Sequence, residues 1–159
     1  MVEPQTAQAF LAQLTQQLRS STDPAETVVR QIAAAFPHYN WVGVYWLRGD
    51  ELVLGPYVGT ATEHTRIPVG RGVCGSAVAE NRNQIVDDVN SRENYISCSI
   101  HVKSEIVVLI RSAAGAIIGQ IDADSHLLAA FDRSDEQMLE QAAALIAARM
   151  AAQVVIGKG

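Results

Sequence analysis

The hydrophobic period of this chain changes twice, and that change dictates the order of its elements. Phe10, Leu11, Leu14 and Leu18 recur at helical spacing, which predicts an amphipathic helix over about 3–19. Asp23, Pro24 and Glu26 then occupy the cap, first and third positions of a second helix. Its buried stripe is Val28, Val29, Ile32 and Phe36, and Pro37 ends it. From Trp41 the period becomes two, so 41–47 and 52–57 read as a hairpin turning at Arg48, Gly49 and Asp50. A second hairpin is predicted over 105–111 and 116–124. Helical spacing returns with Met138, Leu139, Ala142, Leu145, Ile146 and Met150, in a long helix that Ser134 is placed to cap. Between the hairpins lie a short helix over 76–80 entered through glycines, a small strand over 84–86 and a long loop over 87–103. Helices at both ends of an antiparallel run predict an α+β sandwich. The end helices cover one sheet face, and a ligand sits under the long loop on the other.

With 159 residues, 48% of them hydrophobic, the chain can bury a core without staples. No repeat or linker divides it, so it reads as a single domain over 1–159: N-terminal helices over 1–37, sheet and pocket over 40–130, and the final helix over 132–155. Twelve basic against seventeen acidic residues leave a net charge of -5 with no Lys/Arg run. That balance argues against nucleic acid or an anionic membrane as partner and for a small molecule. The N-terminus lacks a basic region followed by an apolar one, and no apolar stretch of about 18 residues occurs, so neither a signal peptide nor a spanning helix is expected. The sequence is read as cytoplasmic. Cys74 and Cys98 are too few for a disulfide scaffold and are therefore inert core or redox chemistry.

The strand over 117–124 puts Gln120, Asp122 and Asp124 on one face and Ile117, Gly119, Ile121 and Ala123 on the other. If Arg111 pairs with Ala116, Glu105 falls opposite Asp122 and Lys103 opposite Asp124. Three carboxyls on a buried face must share a proton or recruit a cation; as strand-end charges in water, neutralised by Lys103, Arg66 or Arg71, they need neither. No histidine or further carboxylate stands at ligand spacing, so no metal or other cofactor is expected. Cys74 lies in a glycine-rich segment whose following helix should lower its pKa, and Cys98 lies in the long loop. Trp41 and Tyr45 share a strand face with Gly43 between them, either as core or as an aromatic wall with a gap for its floor. The four histidines show no specific pairing, and a surface position is the default for each.

Taken together, NWVGVYWL, LVLGPYVG, RIPVGRGVCG, the Cys98 loop, SEIVV, IIGQIDADS and FDRSDEQMLEQ resemble the free methionine-R-sulfoxide reductases, a branch of the GAF domain family. The resemblance spans 40 to the final helix. It implies a six-stranded antiparallel sheet flanked by helices, a homodimer, and a closed pocket for one free oxidised methionine. It also implies that Cys98 attacks the sulfoxide and that Cys74 forms a disulfide with it. Glu105, Asp122 and Asp124 would then hold the sulfoxide oxygen and the substrate amine, and Trp41 and Tyr45 would wall the methyl group. His64 stands where the family carries a third cysteine, and the segment after Cys98 reads SIHVKSE. Sulfoxide reduction needs a soft nucleophile and an acid for the oxygen. Cys98 would supply the first and a protonated carboxyl of the cluster, Asp122 or Glu105, the second, with a thioredoxin-like dithiol resetting the disulfide. The other reading is a non-catalytic GAF module that binds a small molecule and signals.

Overall fold

A computed structural model describes the backbone over 1–95 and 100–157, and the side chains of the same residues as far as 153. Two helices, α1 (Pro4–Leu18) and α2 (Pro24–Ala35), precede the hairpin of β1 (Trp41–Arg48) and β2 (Glu51–Val58). There follow β3 (Arg66–Pro68), α3 (Gly72–Glu80), β4 (Gln84–Val86), the second hairpin of β5 (Ser104–Arg111) and β6 (Ile117–Ser125), and α4 (Arg133–Gly157). The strands form one antiparallel sheet in the order β3-β2-β1-β6-β5-β4. The expected α+β architecture with six strands is the one observed. No helix of the described residues is long and apolar enough to cross a membrane.

Helices α1, α2 and α4 bury their stripes against one sheet face, where Leu14, Val28, Ile32, Leu139 and Ile146 meet Val42, Val44, Ile106, Val108 and Ile121. Alternation along each strand sends the other set to the opposite face: Trp41, Tyr45, Val107 and Leu109 pack there with Cys74 and Ala77 of α3. The Asp23 side chain accepts from the Glu26 N–H at 3.1 Å, as the cap spacing predicts.

Four local readings change. Ser134 does not cap α4; Asp132 does, accepting from the Ser134 N–H at 2.9 Å while Asp135 accepts from the Asp132 N–H at 3.0 Å. This is a reciprocal box in which the earlier aspartate takes the cap position. Helix α3 begins at Gly72 rather than at 76, so Cys74 is helical and not in an irregular segment. The β5–β6 register is displaced by two residues: Glu105 faces Asp124, and Val107 faces Asp122. The turn takes one extra residue, pairing Arg111 with Ile117, and a bulge next to Ile110 takes another. Because two is the period of a strand, the three carboxyls keep their common face; the bulge exchanges the two residues before it, so that Ile117 joins the Cys74 side and Ile118 the helix side. Lys103 is not opposite Asp124; its N–H donates to the Ser125 carbonyl at 2.8 Å.

Candidate active site

The sheet face away from α1, α2 and α4 carries two transverse rows. Trp41, Asp124 and Glu105 form one across β1, β6 and β5; Gly43, Asp122 and Val107 form the next. Both aspartates are 3% exposed and Glu105 is 6% exposed, so these are not strand-end charges in water. Arg66, one of the expected neutralising partners, pairs instead with Glu51. No ion pair found among the described residues involves Asp122 or Asp124.

Helix α3 brings the sulfur to this floor. A methyl on Gly75 would sit 2.5 Å from the Pro68 carbonyl oxygen and 3.0 Å from the Gly70 nitrogen, both backbone. Glycine there lets the first turn of α3 lie against the end of β3 and aims Cys74 at the carboxylates. Its thiol donates to Glu105 Oε1 at 3.8 Å. Burial, then the charges of Asp122, Glu105 and Asp124, push the Cys74 thiol well above its usual range. The expected lowering at a helix start is therefore reversed, because a first-turn dipole is weak beside full burial among carboxylates. Burial raises Asp122 to about 6, against hydrogen bonds from Glu105 and Cys74 that lower it. Asp124 is also raised, by burial and then by the charge of Asp122. Burial thus favours the protonated form of both aspartates, and their titration belongs to the group.

Two small cavities adjoin this floor. One of about 20 Å³ is lined by Tyr45, Ile67, Arg71, Cys74, Glu105 and Asp122. A second of about 80 Å³ is lined by Asn40, Trp41, Thr60, His101, Asp124 and His126. The two aromatics are thereby divided between the chambers, with ring centroids 6.4 Å apart. Trp41 stacks on Tyr57 and its indole N–H donates to the Thr60 carbonyl at 3.1 Å, while the Tyr45 hydroxyl donates to the His64 carbonyl at 2.8 Å. Gly43 leaves no gap between them. A methyl added there would lie 2.5 Å from Trp41 Cη2, so the Trp41 ring itself occupies the space over the glycine.

Cys98, the expected attacking thiol, lies outside the described residues. Described residues on either side of it are anchored by hydrogen bonds. Asn94 donates to the Gly70 carbonyl at 3.1 Å and to Ser76 Oγ at 3.3 Å, and the Val89 N–H donates to the Lys103 carbonyl at 2.9 Å. Asn94 was not singled out from the sequence, because nothing in its neighbourhood marks a contact with the glycine loop. Gln120 is a second such residue: it is fully buried on the carboxylate face, and neither of its amide atoms has a hydrogen-bond partner among the described residues. Its position on the Asp122 face was the available signal. His101 and His126 are exposed at the mouth of the larger cavity. His38 departs from the surface default, reaching the buried Asp135 at 2.9 Å.

The GAF domain family model matches residues 6–150. A free methionine-R-sulfoxide reductase of Escherichia coli is 46% identical over 102 residues, which is 64% of this chain and 61% of that protein; the chain thus matches about three fifths of that relative's length. Among solved structures, a free methionine-R-sulfoxide reductase from Neisseria meningitidis in complex with its substrate is 35% identical with a TM-score of 0.88, covering 98% of this chain and 96% of that one. A type II free methionine-R-sulfoxide reductase from Thermoplasma acidophilum is 37% identical with a TM-score of 0.77, covering 87% and 96%. This chain belongs to the GAF domain family, in the branch that contains the free methionine-R-sulfoxide reductases.

Proposed function

We propose that this protein is an oxidoreductase that converts free L-methionine-(R)-sulfoxide to methionine with its own thiols. The observation that carries this reading is the convergence of Cys74, Glu105 and Asp122 at one buried point. It occurs in a chain that matches, over nearly its whole length, a protein solved with its substrate.

Cys98 attacks the sulfoxide sulfur while a protonated carboxyl of the Asp122–Glu105 pair gives its proton to the oxygen. The oxygen passes to Cys98, methionine leaves, and Cys98 becomes a sulfenic acid. Cys74 then condenses with it, forming the disulfide: the carboxylate that gave up its proton takes the one from Cys74 and passes it to the departing hydroxyl, which leaves as water. A thioredoxin-like dithiol restores both thiols. Cys74, held as a neutral thiol by burial, is suited to the second step rather than the first. Asp124 binds the substrate ammonium, and Trp41 and Tyr45, whose ring centroids stand 6.4 Å apart, wall the methylthio end. The alanine-rich groove between α1 and α4, lined by Leu11, Ala12, Ala144, Leu145 and Ala148, is the surface for a second subunit.

The test compares free methionine sulfoxide with the same group inside a blocked peptide, with a dithiol present and methionine as the readout. Reduction of the R epimer of the free amino acid alone is expected, because the ammonium contact and the small volume of the two chambers leave no room for a continuing chain. Equal rates on both substrates, or none on either, would refute the assignment.

A further inference from the structure

We infer that the reduced protein also binds one thiophilic divalent cation of the zinc class, held by Cys74 Sγ, a Glu105 oxygen and an Asp122 oxygen. These three ligand atoms lie within 4.8 Å of one another, and all three residues are buried. The Sγ to Glu105 Oε1 separation is 3.8 Å. In a tetrahedral site with sulfur at ~2.3 Å and oxygen at ~2.0 Å from zinc, the corresponding edge is about 3.5 Å, so the pair stands nearly at coordination spacing.

A second, independent observation points to a ligand at the same place. Asp122 Oδ1 is buried and has no hydrogen-bond partner among the described residues. Glu105 and Cys74 reach the Asp122 carboxyl with hydrogen bonds, but these leave Oδ1 without a donor, and a coordinated cation would supply its partner. The charges also suit one dication, since a thiolate and two carboxylates carry three negative charges and Arg71 lines the same cavity. At about 20 Å³ the cavity admits little more than an ion or a water-sized group. One thiolate with two carboxylates selects zinc, cadmium or cobalt(II) over magnesium and calcium, which take all-oxygen shells of six or more ligands. Three protein ligands leave a fourth position for water. Binding releases the Cys74 proton and any proton shared by the two carboxyls.

Those protons and that thiol are the ones the proposed reduction uses, so cation and turnover exclude each other. This inhibitory consequence rests on the reductase reading, whereas the binding itself does not.

The experiment is an anaerobic cobalt(II) titration of the reduced full-length chain, following the thiolate-to-cobalt charge-transfer band and the ligand-field bands of tetrahedral cobalt. One equivalent should produce both, zinc should bleach them, and magnesium should not. Cys74→Ser should abolish the charge-transfer band, Asp122→Asn and Glu105→Gln should each weaken binding at least tenfold with unchanged circular dichroism, and Cys98→Ser should keep the band. Absence of a band in the unaltered protein, its survival in Cys74→Ser, or its loss in Cys98→Ser would overturn the inference. The first of these needs no variant to fold. A band that behaves as expected in a protein that does not reduce methionine sulfoxide supports the cation site while removing the reductase reading. Reductase activity without a band does the reverse.

Discussion

Glu105 stands directly across β5 and β6 from Asp124, and its Oε1 lies 3.8 Å from the Cys74 sulfur. One side chain therefore joins the carboxylates of the sheet to the helix that carries the thiol. Because the pair is buried, proton, thiol and carboxyl cannot be changed one at a time: moving any of them alters the charge of a group that water does not screen.

Asp122 gives this coupling a measurable sign. Its folded pKa, raised by burial to about 6, lies above the ordinary carboxylate value of 3.8, so the folded state keeps a proton that the unfolded chain has lost. The resulting stability is fully present below the unfolded pKa and is lost as pH rises through about 6. Urea denaturation between pH 4 and 8 should show this fall, and Asp122→Asn should make it shallower, leaving the part that Asp124 contributes. The same substitution should remove the decline of the sulfoxide step above pH ~6 together with most of its rate, by ~100-fold or more if the proton is the catalytic acid. Parallel stability curves and a pH profile unchanged by the substitution would contradict this.

Gly43 sets the position of Trp41. In Gly43→Ala the new methyl would lie 2.5 Å from Trp41 Cη2 and 2.8 Å from Tyr57 Cβ, so the indole must swing away from the Thr60 carbonyl. The expected outcome is a loss of ~1–3 kcal/mol in stability, altered tryptophan fluorescence and a raised KM with a smaller change in kcat. An unchanged KM would separate Trp41 from substrate binding.

Asp135 is a structural acceptor far from the site. Its buried carboxylate accepts from Tyr39 Oη at 2.9 Å, from His38 at 2.9 Å and from the Asp132 N–H at 3.0 Å. Burial alone would raise its pKa, but these bonds outweigh it and hold the carboxyl well below the usual range. Its contribution is therefore present above pH ~4 and lost as pH falls further. Asp135→Asn should cost about 1–3 kcal/mol at pH 7 and leave a shallower acid limb in a pH-denaturation series.

What could be read from the sequence follows the range of each interaction. Periodicity is local, so Phe10 to Leu18, Val28 to Ile32 and the alternation through Asp122 gave the elements and their buried faces. The β5–β6 register differs from the expected one because an extra turn residue and a bulge beside Ile110 leave no mark in the pattern, and only their combined even shift keeps Glu105 with the aspartates. Helix α3 looked shorter because Gly72 and Gly75 resemble breakers, whereas Gly75 is small to meet Pro68. The direction of the Cys74 shift depends on carboxylates 31 or more residues away in the chain, and the His38–Asp135 contact joins positions 97 apart. Neither separation carries a spacing rule.

The most direct measurement is a single turnover without added reductant. Fully reduced protein is mixed with excess free methionine-(R)-sulfoxide, methionine is counted, and remaining thiols are alkylated and mapped by mass spectrometry. The result predicted is one methionine per chain, two thiols lost and a bridge between Cys74 and Cys98 within one chain, with no methionine formed by Cys98→Ser. Methionine produced by Cys98→Ser, or full turnover with both thiols still free, would contradict it.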